Sequence, residues 1–318
     1  MDINNQYTDE MVKIRRSLHA KPETGWTEFR TTSIIVNRLK ELGFEVLEGT
    51  AVINPDYVMG RYPDEVKLGV KRALEAGVKQ EDIDAMQGYT GAVGIWKTGR
   101  PGPVTALRFD IDALYVPETT DPNHIPNKEG FASEYPGQMH ACGHDCHAGV
   151  GLAIAHWIAD HKDELCGTIK LLFQPAEEGT RGAMAMAQSG IVDDVDNLFA
   201  SHIGCTPRLG YVTVTSPGYN ATIKFDVSFT GKPAHSVANP QDGRNALMAA
   251  CHTAVMIGSL PRHGAGLTTV SCGKIMAGEM RNVIPVHATM QMEVRGATNE
   301  LCQYIFSQVE RAVKANAE

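Results

Sequence analysis

The sequence predicts an α/β domain followed by a smaller α+β domain, and three observations carry that prediction. Through residue 204, amphipathic helical stretches alternate with short runs rich in β-branched and aromatic residues, the pattern of helices packed on a sheet. Acidic, cysteine and histidine residues cluster where those runs end, which is where open α/β sheets bind ligands. After Ser216-Pro217-Gly218 the texture changes to alternating strands and helices in the order βαββα. The expected domains are therefore residues 1–216 and 217–318.

From Thr8 a helix carries Met11, Ile14 and Leu18 on one face, and Pro22 and Gly25 interrupt the chain after it. A second helix runs from about Thr27 to Leu42, with Ile34, Ile35 and Leu39 apolar and Gly43 as a left-handed stop; Phe44-Glu45-Val46 reads as a strand. Residues 50–88 are punctuated by Asn54-Pro55, Tyr62-Pro63 and Gly88 around a charged, helical stretch. They are expected to form an insertion on the domain rim, outside the core. Strands at 90–96 and 104–109 flank the turn Thr98-Gly99-Arg100-Pro101-Gly102-Pro103, and the second runs into Asp110-Ile111-Asp112.

The next helix places Val150, Ala153, Ile154, Trp157 and Ile158 on an i, i+3, i+4, i+7, i+8 template, with His156 and His161 as surface or capping residues. A strand at 168–173 leads to Glu177-Glu178, and a short Ala/Met helix ends near Gly190. Residues 197–204 have the pattern of a buried strand ending in His202. In the smaller domain, a strand at 221–230 alternates Ile223, Phe225, Val227 and Phe229 on one face, and a loop with Ala234-His235-Ser236 follows. A helix at about 242–260, strands at 268–275 and 288–295, and a terminal helix capped by Thr298 complete the order. The chain reaches Glu318 inside that helix with no strand after it, so the sequence is expected to be C-terminally incomplete.

With 318 residues, 43% of them hydrophobic, the chain is large enough for two cores. A net charge of −8 argues against a nucleic-acid partner, which needs a basic surface. The opening Met1-Asp2-Ile3-Asn4-Asn5 has no charged region followed by an apolar run, and nowhere are 18 apolar residues consecutive, so no membrane partner is expected. Seven cysteines, odd in number and scattered through helices and strands, fit a reducing, cytoplasmic setting.

The chemistry concentrates in His140-Ala141-Cys142-Gly143-His144-Asp145-Cys146-His147 and Pro175-Ala176-Glu177-Glu178-Gly179. Borderline divalent ions accept cysteine, histidine and glutamate together. Neighbouring side chains at a strand end point in different directions, so one glutamate can hold a metal while the other faces the water to be activated. A lone strand-end histidine such as His202 is more often a core residue, but the incomplete set Cys142, His144 and Glu178 tips it toward ligand. The pair Asp110 and Asp112 is compatible with either a local turn or a site role. A competing reading closes one structural tetrahedral site from Cys142, His144, Cys146 and His147 alone; it leaves Glu177 and Glu178 unexplained.

These motifs, with Arg15-Arg16-Ser17-Leu18-His19, Pro22-Glu23-Thr24-Gly25 and Asp110-Ile111-Asp112-Ala113-Leu114, resemble the M20 amidohydrolases, in the branch that uses a cysteine ligand. The resemblance implies a mixed-sheet, metallopeptidase-like catalytic domain with an inserted α+β lid of βαββαβ type, incomplete here, through which members dimerise. It implies hydrolysis of the amide bond of a small N-acyl amino acid by an enzyme with two divalent ions, manganese or zinc. Cys142, His144, Glu178 and His202 would be the metal ligands, Glu177 the general acid/base and Asp112 the aspartate supporting His144, with Asp110 left out of the ligand set. His235 would polarise the scissile carbonyl in a partner's site, and Asn282 and Arg295 match positions that receive a carboxylate in glutamate-releasing members. The partner would be a second copy or a related chain. A further segment after the lid, carrying a last histidine for the second metal, has no counterpart here, which keeps an inactive, dimerising partner as an alternative. Another is an N-acyl-amino-acid or auxin-conjugate amidohydrolase.

Overall fold

The computed structural model describes residues 5–204, 208, 210–214 and 219–317. The expected boundary at Ser216-Pro217 lies outside the described residues; by its contacts the chain divides into two compact units, Met1–Tyr211 and Val212–Glu318.

The first unit contains α1 (Asn5–Ala20), α2 (Phe29–Glu41), β1 (Glu45–Glu48), α3 (Pro63–Glu75), α4 (Gln80–Ala85), β2 (Ala92–Lys97) and β3 (Val104–Asp110). There follow α5 (Ile125–Glu129), α6 (His144–Asp160), β4 (Thr168–Gln174), α7 (Ala183–Ala187) and β5 (Asn197–Ala200). The five strands form one mixed sheet in the order β1-β2-β4-β3-β5. β1, β2 and β4 pair antiparallel, whereas β4, β3 and β5 run parallel, with Asp110 opposite Gln174 and Arg108 opposite Ala200. The three parallel strands therefore release their chains at the same edge of the sheet.

One face of the sheet is covered by α1, α2 and α6, whose Leu18, Ile35, Leu39, Leu152 and Ile158 pack with Phe109, Leu171 and Phe173. The opposite side buries Trp26, Val52, Ile53, Val93, Leu172 and Met186. The expectation that residues 50–88 stay outside the core is thus corrected. Val52 and Ile53 are fully buried, and α3 and α4 close a small cluster of Phe29, Val66, Ala73, Ile83 and Met86. The charged residues that suggested a rim segment lie on the outer faces of these helices, and local composition does not reveal the few apolar anchors beneath them.

Two further expectations change. The buried stripe of α6 is Ala148, Leu152, Ala155 and Ile158, whereas Val150, Ala153, Ile154 and Trp157 are only half-buried. Small residues let the helix approach the sheet: a Cβ on Gly151 would lie 2.6 Å from the Phe173 ring. The bulkier residues flank that contact, so periodicity found the wrong side. β5 is not buried either: it is an edge strand, and Leu198 and Phe199 are each 60% exposed.

The second unit is β6 (Ala221–Thr230), α8 (Ala246–Gly258), β7 (Thr268–Ala277), β8 (His287–Gly296) and α9 (Asn299–Ala317). Its antiparallel sheet has the order β6-β8-β7, and both helices pack on one face around Phe229, Met290, Met292, Val294, Ile305 and Val309. Ile223, Phe225, Val227 and Phe229 alternate with exposed Lys224, Asp226 and Ser228, the period-two signature of a half-buried strand. The Thr298 hydroxyl accepts the Leu301 N–H at 3.3 Å at the start of α9. The βαββα order is therefore present.

Candidate active site

Each element at the open edge of the parallel strands contributes to one cluster. β3 ends in Asp110 and delivers Asp112 two residues on; β4 runs through Gln174 and Pro175 into Glu177-Glu178; β5 is followed by His202. The first turn of α6 supplies His144 and His147, and Cys142 precedes it. Gly143, at the N-cap with φ +82°, turns the chain from Cys142 into the helix, and a Cβ there would lie 2.8 Å from Ile203 Cδ1.

Asp112, 1% exposed, organises the cluster. Its Oδ1 accepts the Glu177 N–H at 3.0 Å and its Oδ2 the Glu178 N–H at 2.9 Å. His144 Nδ1 lies 2.9 Å from the Asp112 carbonyl oxygen and 3.2 Å from Oδ1. One carboxylate thus orients an imidazole and fixes a carboxylate-bearing turn. That turn contains Ala176 at φ +48°, a left-handed conformation that costs a non-glycine residue about 1–3 kcal/mol. Hydrogen bonds to charged groups, about 1.5–3 kcal/mol each, offset that strain.

Three sets of donor atoms lie within 4.8 Å of one another: Cys142, His144 and His202; His144, Glu177 and Glu178; and Asp110, His144 and His147. Cys142 Sγ is 3.4 Å from His202 Nε2, and His144 Nε2 is 3.9 Å from Glu177 Oε2. His144 Nε2 and Glu178 Oε1 are buried without a hydrogen-bond partner among the described residues. Orphaned, convergent donors in a carboxylate-rich pocket fit a divalent cation.

The electrostatics agree with that fit. Burial, and then Glu178, push the Cys142 thiol up to about 12. Burial and the Asp112 charge raise Glu178 as well. For His144 burial opposes the imidazolium, but the Asp112 hydrogen bond and the Asp110 charge prevail and lift it to about 9. The pocket therefore withholds charge from its acids and draws positive charge onto its base, a balance that a divalent cation among these donors would reverse.

Asp110 and His147 have a different task. His147 Nδ1 donates to Asp110 Oδ1, its Nε2 accepts the Ile203 N–H at 3.0 Å, and Arg108 Nη1 lies 2.7 Å from Asp110 Oδ2. His147 thereby ties the segment bearing His202 to α6. No motif in the sequence assigned it that role, although its i, i+3 spacing from His144 marks the same helix face. The four-ligand structural site does not form as one group: Cys146 belongs to none of the three donor sets.

In the second unit, His235 bridges to Val283 and Ser236 N–H donates to the Asn282 carbonyl at 3.1 Å, so His235 and Asn282 are neighbours. The His235 Nδ1 accepts the N–H groups of Val237 and Ala238, each at 3.2 Å. Arg295 pairs with Glu293 near the far end of β8, roughly 27 Å of strand beyond His287 at about 3.4 Å per residue. The expectation that Asn282 and Arg295 receive one carboxylate is corrected for a single copy of the unit: strand length keeps them apart.

Residues 106–300 match the model of peptidase family M20/M25/M40. A homolog of one p-aminobenzoyl-glutamate hydrolase polypeptide, from Haemophilus influenzae, is 48% identical over 307 residues, covering 96% of this chain and 73% of the relative. The crystal structure of an aminobenzoyl-glutamate utilization protein from Klebsiella pneumoniae superposes with a TM-score of 0.76 at 38% identity, covering 98% of this chain and 73% of that one. The Bacillus subtilis YXEP protein, a dinuclear metal binding peptidase, superposes with a TM-score of 0.63 at 26% identity, covering 99% and 71%.

Proposed function

The chain belongs to peptidase family M20/M25/M40, and from that premise we propose that this metal-dependent amidohydrolase cleaves p-aminobenzoyl-glutamate to p-aminobenzoate and glutamate. The observation that carries the reading is the convergence of three parallel strand ends on one cluster, with His144 Nε2 and Glu178 Oε1 buried and unpaired among the described residues. Cys142, His144, Glu178 and His202 would hold two divalent ions, manganese or zinc. When bound, such ions supply Lewis acidity to an amide carbonyl and to water.

The chain's own residues supply the proton transfers. Glu177, adjacent to ligand Glu178 but one-third exposed, takes the proton of the attacking water at its carboxylate and passes it to the leaving amine nitrogen. Asp112 keeps the His144 Nδ1 proton in place, so that Nε2 presents its lone pair to the metal. His235 is proposed to act on the scissile carbonyl of a partner's site, its ring set by the Val237 and Ala238 amides. Asn282 lies beside it for the substrate carboxylate, and Arg295 would serve a substrate held by a different copy. The assembly is a homodimer, or a heterodimer with a related chain, through the second unit, a lid, and its setting is the cytoplasm. No helix among the described residues is long and apolar enough to cross a membrane.

The test is release of p-aminobenzoate by the purified protein supplied with manganese(II) or zinc(II), beside indole-3-acetyl-aspartate and N-acetyl amino acids as competing substrates. A kcat/KM preference of about tenfold or more for p-aminobenzoyl-glutamate is expected, as differential binding of one acyl group supplies. Preference for another acyl group would overturn the substrate, and metal uptake without hydrolysis of any amide would overturn the activity.

A further inference from the structure

The Glu177-Glu178 turn is fixed by a second buried carboxyl. Glu28 stands at the N-cap of α2, yet its side chain makes no capping hydrogen bond. Glu23 takes that work, accepting the N–H groups of Arg30 at 2.9 Å and Thr31 at 2.7 Å. Glu28, 0% exposed, reaches across to β4's exit instead: Oε1 accepts the Ala176 N–H at 2.8 Å and Oε2 accepts the Thr90 hydroxyl at 2.6 Å. With Asp112 on the next two amides, three successive N–H groups of one turn point at two carboxyls.

We propose that Glu28 is a positioning residue for the reaction, holding left-handed Ala176 so that Glu177 and Glu178 leave the turn toward different tasks. The role rests on the reading of Glu177 as base and Glu178 as metal ligand. Two arguments support it beyond the hydrogen bonds. A buried carboxyl is costly, and its neglect of the adjacent helix terminus leaves the Ala176 turn and Thr90 as its tasks. Burial, with the Asp112 charge second, pushes Glu28 up to about 8, so the group is largely neutral at neutral pH and adds no second charge beside Asp112.

That neutrality makes glutamine a faithful replacement. Its carboxamide oxygen accepts the Ala176 N–H, and its NH2 donates to the Thr90 hydroxyl, which accepts as readily as it donates. Leucine removes both bonds, and Thr90→Val frees one side of Glu28. The experiment titrates the metal-free chain with manganese(II) or zinc(II) by calorimetry and measures hydrolysis of p-aminobenzoyl-glutamate for each variant. Glu28→Leu is expected to lose about 10–100-fold in both metal affinity and kcat, the cost of removing an outer support, while Glu28→Gln stays within about threefold. Thr90→Val should fall between, and it decides the matter if Glu28→Leu does not fold. Wild-type metal affinity and kcat in folded Thr90→Val and Glu28→Leu would overturn the role, as would a folded Glu28→Gln as impaired as leucine. A parent protein that neither binds metal nor hydrolyses amide would overturn the underlying site reading along with it.

Discussion

His144 and Asp112 meet through two acceptors on the same residue: the imidazole Nδ1 sits 2.9 Å from the Asp112 carbonyl and 3.2 Å from its Oδ1. Because that carboxylate also holds the Glu177 and Glu178 amides, ring orientation and glutamate position are coupled. Asp112→Asn leaves one acceptor oxygen where two are used and turns an NH2 toward a donor. We expect metal affinity to fall about 10–100-fold, measured by titration of the metal-free protein. Unchanged affinity with intact folding would separate Asp112 from the metal site.

Glu177 and Glu178 divide two tasks that substitution tells apart. Glu177→Gln should keep metal content and lower kcat by about 10²–10⁴-fold, since an amide cannot accept the water's proton. Glu178→Gln should lose metal as well, read by elemental analysis of dialysed protein. Equal metal loss in both variants would contradict the division.

His235 is expected to act across an assembly. His235→Ala should reduce turnover and leave metal binding unchanged. Mixing it with Glu177→Gln should recover part of the activity, because one site in a mixed dimer contains both intact residues. Demonstrated exchange of chains with no recovery would place the function of His235 within its own chain or outside catalysis.

A pH dependence follows from His19, which is 3% exposed between Asp145 Oδ2 at 2.8 Å and Glu118 Oε1 at 2.9 Å. Burial opposes its charged form, but the two carboxylate hydrogen bonds outweigh burial and raise its pKa. A folded value above the unfolded one stabilises the protein fully below about pH 6.5, and the contribution disappears as pH rises through the folded pKa. Denaturant unfolding of the parent and of His19→Gln should therefore differ most at the acid end of a series from about pH 5.5 to about pH 9 and converge toward the alkaline end, taking about 6.5 as the unfolded reference. A gap that widened with pH would reverse the sign assigned to His19.

Much of this protein was legible along the chain, because periodicity and motif spacing are local. The alternation of Ile223, Phe225, Val227 and Phe229 announced a half-buried strand, and Cys142, His144, Glu177 and Glu178 marked the chemistry by residue type alone. Their meeting depended on strand pairing between distant segments. The parallel order β4-β3-β5 brings Asp112, Glu178 and His202 to one edge, and no local pattern specifies that order. The same non-locality hid His147, which uses one nitrogen on Asp110 and the other on the Ile203 amide, and Glu28, which looked like an ordinary helix-start residue. It also separated Asn282 from Arg295, since β8 carries the chain from one end of the small sheet to the other. Residue chemistry was written in the sequence, whereas partners, burial and distance were set by long-range packing, because a buried polar group is defined by atoms far away in the chain.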